Sequence, residues 1–247
     1  MLFKKFKNLS IAKIKFYVFK EGNFLKKKLI IFDADGTLWD SRQDVIAAVN
    51  YVLKENANLE ITKEEFQKFD GFSLEYMFKA VLPLDKKHLS ENFIKLFIQY
   101  YINNEHFLDN TLLFPEVKNT LEKLKKQGFL MAICSRKTNR AVKKMLNHFS
   151  LSYFDLVVGT EESKFKHKPN PEAINYIMDY LNITSKDAVI VGDSRTDVLT
   201  GKNAAIETIA VTYGGYDTRE NLLSLNPTYL IDNFGELREL LQLSKTS

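Results

Sequence analysis

The sequence predicts an α/β protein, a doubly wound parallel sheet interrupted by a small helical insert. Three observations predict it. Short, almost wholly apolar runs recur along the chain and end in polar or glycine residues, and helical stretches alternate with them. The first two runs stand about 95 residues apart, far more than one crossover helix fills. Unbroken hydrophobicity, rather than alternation, fits strands covered by helices on both faces.

The first run, residues 29–32, leads into Asp33. Residues 40–58 then carry Val45, Val49 and Val52 at helical spacing, and 62–69, 73–82 and 90–103 also read as helices. A helical domain is therefore expected over 43–111, with the sheet domain made of 29–42 and 112–247. The sheet domain resumes with a helix over 115–127, where Val117, Leu121 and Leu124 recur and Gly128 supplies the stop. A strand over 129–134 runs into Ser135, and a helix is expected over 138–149. Further strands at 156–158, 188–191 and 206–211 run into Gly159, Gly192-Asp193 and Thr212.

Composition sets the outer bounds. A chain of 247 residues that is 45% hydrophobic and 27% charged can bury a sizeable core, which excludes a small stapled fold and a disordered chain. Its single cysteine, Cys134, excludes an internal disulfide and a cysteine zinc cluster and suits a reducing compartment, so a cytoplasmic protein is expected. No apolar run approaches the roughly 20 residues that span a bilayer. Lysines at the start stand where a signal peptide needs its apolar stretch, so neither a transmembrane segment nor export is expected.

The net charge of +4 conceals an asymmetry. Residues 1–28 hold nine lysines against the single acid Glu21, a local charge of +8 that leaves the other 219 residues at −4. The basic excess is confined to this extension, without a zinc-finger or basic-zipper pattern, and nucleic acid is not an expected partner. Ile14, Phe16 and Val18 alternate with Lys15 and Tyr17 ahead of Glu21-Gly22-Asn23, which reads as a hairpin or, alternatively, a helix. The extension is either a solvated face or a contact for an anionic lipid surface or an acidic partner.

The segment that carries chemistry is Asp33-Ala34-Asp35-Gly36-Thr37-Leu38. A buried strand ends there, and two carboxylates follow with one residue between them, at the carboxyl edge of the sheet where open α/β folds place their sites. One carboxylate can attack phosphorus while the other moves a proton to the leaving oxygen and later takes one from water. The same pattern also fits a calcium loop or an ordinary turn with a helix cap. Later strand ends supply what phosphoryl transfer further needs. Ser135 can offer its hydroxyl to a phosphate oxygen or simply cap the next helix. Lys168, before Pro169, can neutralise phosphoryl oxygens or remain a solvated lysine beside Lys164 and Lys166. Asp193 faces the same edge as Asp33, and the pair can hold a hard divalent cation, for which magnesium fits best. Asp197, one turn into the next helix, can take a water of that metal or hold Lys168; acids at a helix N-terminus are the plain alternative.

In this order and spacing, Asp-x-Asp-Gly-Thr-Leu, the serine, Lys-Pro and Gly-Asp-x-x-x-Asp resemble the four motifs of the haloacid dehalogenase superfamily, over about residues 29–243. The insert resembles the helical cap of the first subclass, and Val211-Thr212-Tyr213-Gly214 resembles the phosphoglycolate phosphatase branch. The resemblance implies a Rossmann-like core and a magnesium-dependent phosphatase that passes through an aspartyl-phosphate. It implies Asp33 as nucleophile and metal ligand, and Asp35 as acid/base with its carbonyl also on the metal. Ser135 and Lys168 would bind phosphoryl oxygens, Asp193 would bind the metal and Asp197 would support it. A carboxylate at Asp35 favours ester hydrolysis, because dehalogenases and phosphonate-cleaving relatives usually lack one there. Arg136 stands where relatives often carry Asn, and the lysine-rich extension has no counterpart.

Specificity is expected in the cap, with Gly71, Phe72 and Ser73 as candidate contacts; Phe72 also fits a cap core. The expected substrate is a small phosphorylated metabolite such as phosphoglycolate or a sugar phosphate. A phosphomutase using the same aspartates is the nearest alternative. A catalytically idle scaffold tethered by residues 1–28 is the alternative of another class.

Overall fold

Leu29–Phe32 (β1) is buried along its whole length, and its side chains divide between two layers of core. Ile30 and Phe32 enter a large apolar cluster with Val117, Leu121 and Phe234, whereas Leu29 and Ile31 join Ile174 and Ile177 on the opposite face. This two-sided burial is why the run reads as continuous hydrophobicity. The structure, a computed structural model, describes residues 27–69, 74–159 and 165–241. The hairpin expected in the basic extension and the candidate contacts Gly71, Phe72 and Ser73 lie outside the described residues.

Six strands form one parallel sheet. Beyond β1 they are Leu130–Cys134 (β4), Leu156–Val158 (β5), Ala188–Gly192 (β6), Glu207–Val211 (β7) and Tyr229–Ile231 (β8). The spatial order is β5-β4-β1-β6-β7-β8, with β1 at the centre and its Phe32 in register with Ile133 of β4 and Val191 of β6. The order reverses direction at β1, which puts the ends of β1, β4 and β6 around one crevice. The five expected strands are present, and β8 is an addition. With three residues following Pro227, it carries too short an apolar run to stand out.

Trp39–Asp40 (β2) and Leu112–Leu113 (β3) pair antiparallel at the points where the chain leaves the sheet and returns. Between them lie the helices Arg42–Ala57 (α1), Lys63–Gln67 (α2), Leu74–Val81 (α3) and Ser90–Ile98 (α4). Helix α2 is short but well capped, since Thr62 and Glu65 exchange side chain-to-backbone hydrogen bonds of 2.8 and 3.2 Å. The helix expected over 90–103 is in two parts, because α4 passes into a π-helical turn at Gln99–Asn103 in which Tyr101 and Ile102 are buried. Phe66, Phe78, Phe93 and Phe97 of this segment belong to the same apolar cluster as Phe32, so one core runs through the insert and the sheet.

The covering helices are Val117–Lys126 (α5), Asn139–His148 (α6), Glu172–Tyr180 (α7), Arg195–Asn203 (α8), Arg219–Ser224 (α9) and Leu237–Leu240 (α10). Gly128 follows α5 with a φ of +83°, the left-handed conformation that ends a helix most easily at glycine. Thr138 caps α6 by accepting from Ala141 N at 3.1 Å. Among the described residues, no helix is long and apolar enough to cross a membrane.

Candidate active site

Asp33 follows β1, Asp193 follows β6, and Asp197 lies in the first turn of α8. One carboxylate oxygen from each lies within 4.8 Å of the others. Lys168, which precedes α7, reaches into this cluster. Its ammonium is 2.6 Å from Asp33 Oδ1 and 2.6 Å from Asp197 Oδ1. The other Asp197 oxygen accepts from Ser194 N at 3.1 Å and from Ser194 Oγ at 2.6 Å, so Asp197 ties the start of its helix to the lysine. The sequence offered Asp197 two roles; its contact with Lys168 is present, and its carboxylate also lies within 4.8 Å of those of Asp33 and Asp193.

Three buried acids and one buried base leave a surplus of negative charge. Burial pushes the Asp33 carboxyl up to about 6; Lys168 opposes the rise and Asp197 adds to it. Asp193 is raised well above the usual carboxylate range by burial and by the charges of Asp197 and Asp33. Its Oδ2 accepts from Tyr216 N at 3.3 Å, but its Oδ1 is buried with no hydrogen-bond partner. A buried acceptor without a donor is costly, and a cation beside Asp33 and Asp193 would satisfy it. The all-oxygen donor set suits a hard divalent ion such as magnesium.

Glycine makes room for this arrangement. A Cβ on Gly36, where φ is +81°, would overlap the Asp193 carboxylate, and one on Gly214 would overlap both that carboxylate and the Gly36 carbonyl. Tyr213 fixes the same approach by donating from its hydroxyl to the Thr37 carbonyl at 3.0 Å. Gly214 had stood out only as part of a resemblance; its physical role is the close packing of two loops.

Asp35 points to other partners. Its Oδ1 accepts from Trp39 Nε1 at 3.0 Å, from Lys137 Nζ at 2.9 Å and from the Ser41 hydroxyl. Trp39, Ser41 and Lys137 were not anticipated from the sequence. Ser135, at the end of β4, accepts from Lys137 N at 3.0 Å, which leaves its own O–H to donate. Burial pushes the thiol of the neighbouring Cys134 up to about 12, which disfavours its thiolate form.

A cavity of about 720 Å³ opens over these groups. Asp33, Asp35, Ser135, Arg136, Lys168 and Asp193 line one side. Phe66, Phe69, Leu74, Met77, Phe97 and Tyr101 of the helical insert line another. Buried carboxylates, a buried ammonium and a hydroxyl thus converge at the strand ends beneath the insert, the arrangement that the resemblance to haloacid dehalogenases led one to expect.

The comparisons with known proteins agree. The family model of haloacid dehalogenase-like hydrolases matches residues 30–211. A phosphoglycolate phosphatase of Vibrio parahaemolyticus is 32% identical over 225 residues, covering 88% of this chain and 97% of the relative. Another, from Aquifex aeolicus, is 34% identical over 188 residues, 76% of this chain and 85% of the relative. Among solved structures, a haloacid dehalogenase-like hydrolase from Bacteroides fragilis superposes with a TM-score of 0.77 at 28% identity, covering 86% of this chain and 100% of the other. The chain belongs to the haloacid dehalogenase-like hydrolases, and within them it is a phosphatase.

Proposed function

We propose that the protein is a magnesium-dependent phosphatase of small phosphomonoesters that works through an aspartyl-phosphate on Asp33. The observation that carries this reading is the buried Asp33–Lys168–Asp197 chain beside Asp193, whose Oδ1 lacks a partner. An oxygen of Asp33 attacks phosphorus as the bond to the ester oxygen breaks, and Asp35 gives that oxygen a proton. Water then attacks the phosphorus of the acyl-phosphate, Asp35 takes its proton, and Asp33 is restored as phosphate leaves. Lys168 and the Ser135 hydroxyl hold the phosphoryl oxygens. Asp33, Asp193 and the Asp35 carbonyl would hold the magnesium ion, which when bound supplies positive charge to the phosphoryl group.

The helical insert acts as a cap, residues 43–111, over a core of 29–42 and 112–247. It excludes water and places its apolar wall against the organic part of the substrate. Phosphoglycolate is the first ester to assay, because the relatives named above are phosphoglycolate phosphatases. With magnesium, the purified chain is expected to release inorganic phosphate from it, with no isomerised ester. Asp33→Asn is expected to abolish that release, and near-normal turnover by this variant would refute the nucleophile.

A further inference from the structure

Lys137 is a buried cation that the reaction proposed above does not use. It lies two residues beyond Ser135, between β4 and α6, with a side chain only 11% exposed. An ammonium has three N–H groups, and three oxygens surround this one. They are Asp35 Oδ1 at 2.9 Å, the Tyr101 hydroxyl at 2.9 Å and Ser41 Oγ at 3.3 Å. Every donor is matched by a protein acceptor, so the ammonium has none left for a substrate phosphate.

The arrangement acts on Asp35 through one oxygen. Trp39 Nε1, the Ser41 hydroxyl and Lys137 Nζ all donate to Oδ1, and among the described residues no hydrogen bond reaches Oδ2. A carboxylate anchored in this way keeps its second oxygen for proton exchange. Tyr101 brings in the helical insert, because it belongs to the π-helical turn at Gln99–Asn103. It is 3% exposed, and its ring centroid lies 5.1 Å from the Lys137 ammonium. Were the insert lifted from the sheet, one N–H of a buried ammonium would lose its acceptor.

We propose that Lys137 is a positioning residue that fixes Asp35 for proton transfer, and that the Tyr101 hydroxyl completes this arrangement only when the insert is seated on the sheet. The inference rests on the reading of Asp35 as the acid–base group. Proton transfer is thereby tied to the seating of the insert on the sheet.

The test compares kcat/KM of the full chain, with magnesium, on an aryl ester and an alkyl ester. p-Nitrophenyl phosphate loses a stable phenolate and needs little protonation, whereas phosphoglycolate loses an alkoxide and needs a proton. Lys137→Met is expected to lower kcat/KM at least tenfold on phosphoglycolate and less than threefold on the aryl ester. Tyr101→Phe is expected to show the same selectivity at smaller size, and the double variant to be no worse than Lys137→Met alone. Equal losses on both esters would reduce Lys137 to a structural role and overturn the proposal, as would a shared rise in KM at unchanged kcat, which would place the ammonium on the phosphate. Tyr101→Phe keeps the test decisive should Lys137→Met fail to fold. Asp35→Asn separates the two readings. If it discriminates between the esters and neither the Lys137 nor the Tyr101 variant does, only the positioning role fails; if it does not discriminate, the acid–base reading falls and the proposal with it.

Discussion

The Lys168 ammonium lies 2.6 Å from Asp33 Oδ1, although the two residues are 135 positions apart in the chain. Lys168 is buried, with its side chain 5% exposed. Burial works against its charge, but Asp197 and Asp33 outweigh that effect and hold its pKa above the ordinary lysine value. Lys168→Met would leave Asp33 and Asp197 buried without their counter-charge. Breaking such a pair from one side costs about 3–5 kcal/mol, and urea unfolding at pH 7 in EDTA should show a loss of this order. An equally stable variant would mean that the cluster is far better solvated than its burial indicates.

Asp33→Asn should have the opposite effect on stability. The surplus charge of the cluster is negative, and the Asp33 carboxyl titrates near 6 instead of 3.8. A raised carboxyl pKa means that the folded state binds its proton more tightly than the unfolded chain, so ionisation costs the fold on the order of 3 kcal/mol once pH exceeds both values. The amide removes that cost while Lys168 stays paired with Asp197. In metal-free buffer the variant should melt roughly 5–10 °C above the parent at pH 8. The advantage should shrink as pH falls from 6 towards 3.8 and vanish below. An advantage independent of pH would trace to packing rather than charge.

Gly214 bears on the proposed magnesium site. A Cβ there would overlap the Asp193 carboxylate and the Gly36 carbonyl, so Gly214→Ala must displace one of the two loops. Magnesium at a hundredfold excess over its Kd should stabilise the wild-type chain by about 2.7 kcal/mol, and EDTA should reverse the effect. Gly214→Ala is expected to lose most of that stabilisation, as is Asp193→Asn. Differential scanning calorimetry with and without magnesium reads this directly; an unchanged magnesium shift in both variants would remove Asp193 from the metal site.

What could be read from the sequence follows from local physics. Asp33 and Asp193 were visible because each ends a run buried on both faces, and a charge at the tip of such a run has few roles outside a site. Lys137 was not visible. It stands among Arg136, Arg140, Lys143 and Lys144, and nothing local separates it from lysines that face water. Its environment is made by Tyr101, 36 residues earlier, and Asp35, 102 residues earlier. The pairing of β2 with β3 escaped for a related reason, since two residues on each side leave no period to detect.

Asp44 offers a test of how the insert is held. It lies in the first turn of α1, 2% exposed, where the helix dipole favours an acid. Its Oδ1 accepts from Asn110 N and Asn110 Nδ2, each at 2.8 Å, and its Oδ2 accepts from Thr111 Oγ1 at 2.7 Å. The chain leaves the sheet just before Asp44 and returns just after Thr111, so these bonds clamp the two connections together beside the β2–β3 pair. Asp44→Ala would strip one acceptor from the buried Thr111 hydroxyl and the acceptors from the backbone N–H and amide of the exposed Asn110, at about 1–2 kcal/mol in urea unfolding. Because the loss falls at the neck of the insert, proteolysis between residues 43 and 111 should accelerate before any cleavage appears in the strands. Uniform acceleration across the chain would show that the clamp stabilises the whole fold and does not specifically hold the insert.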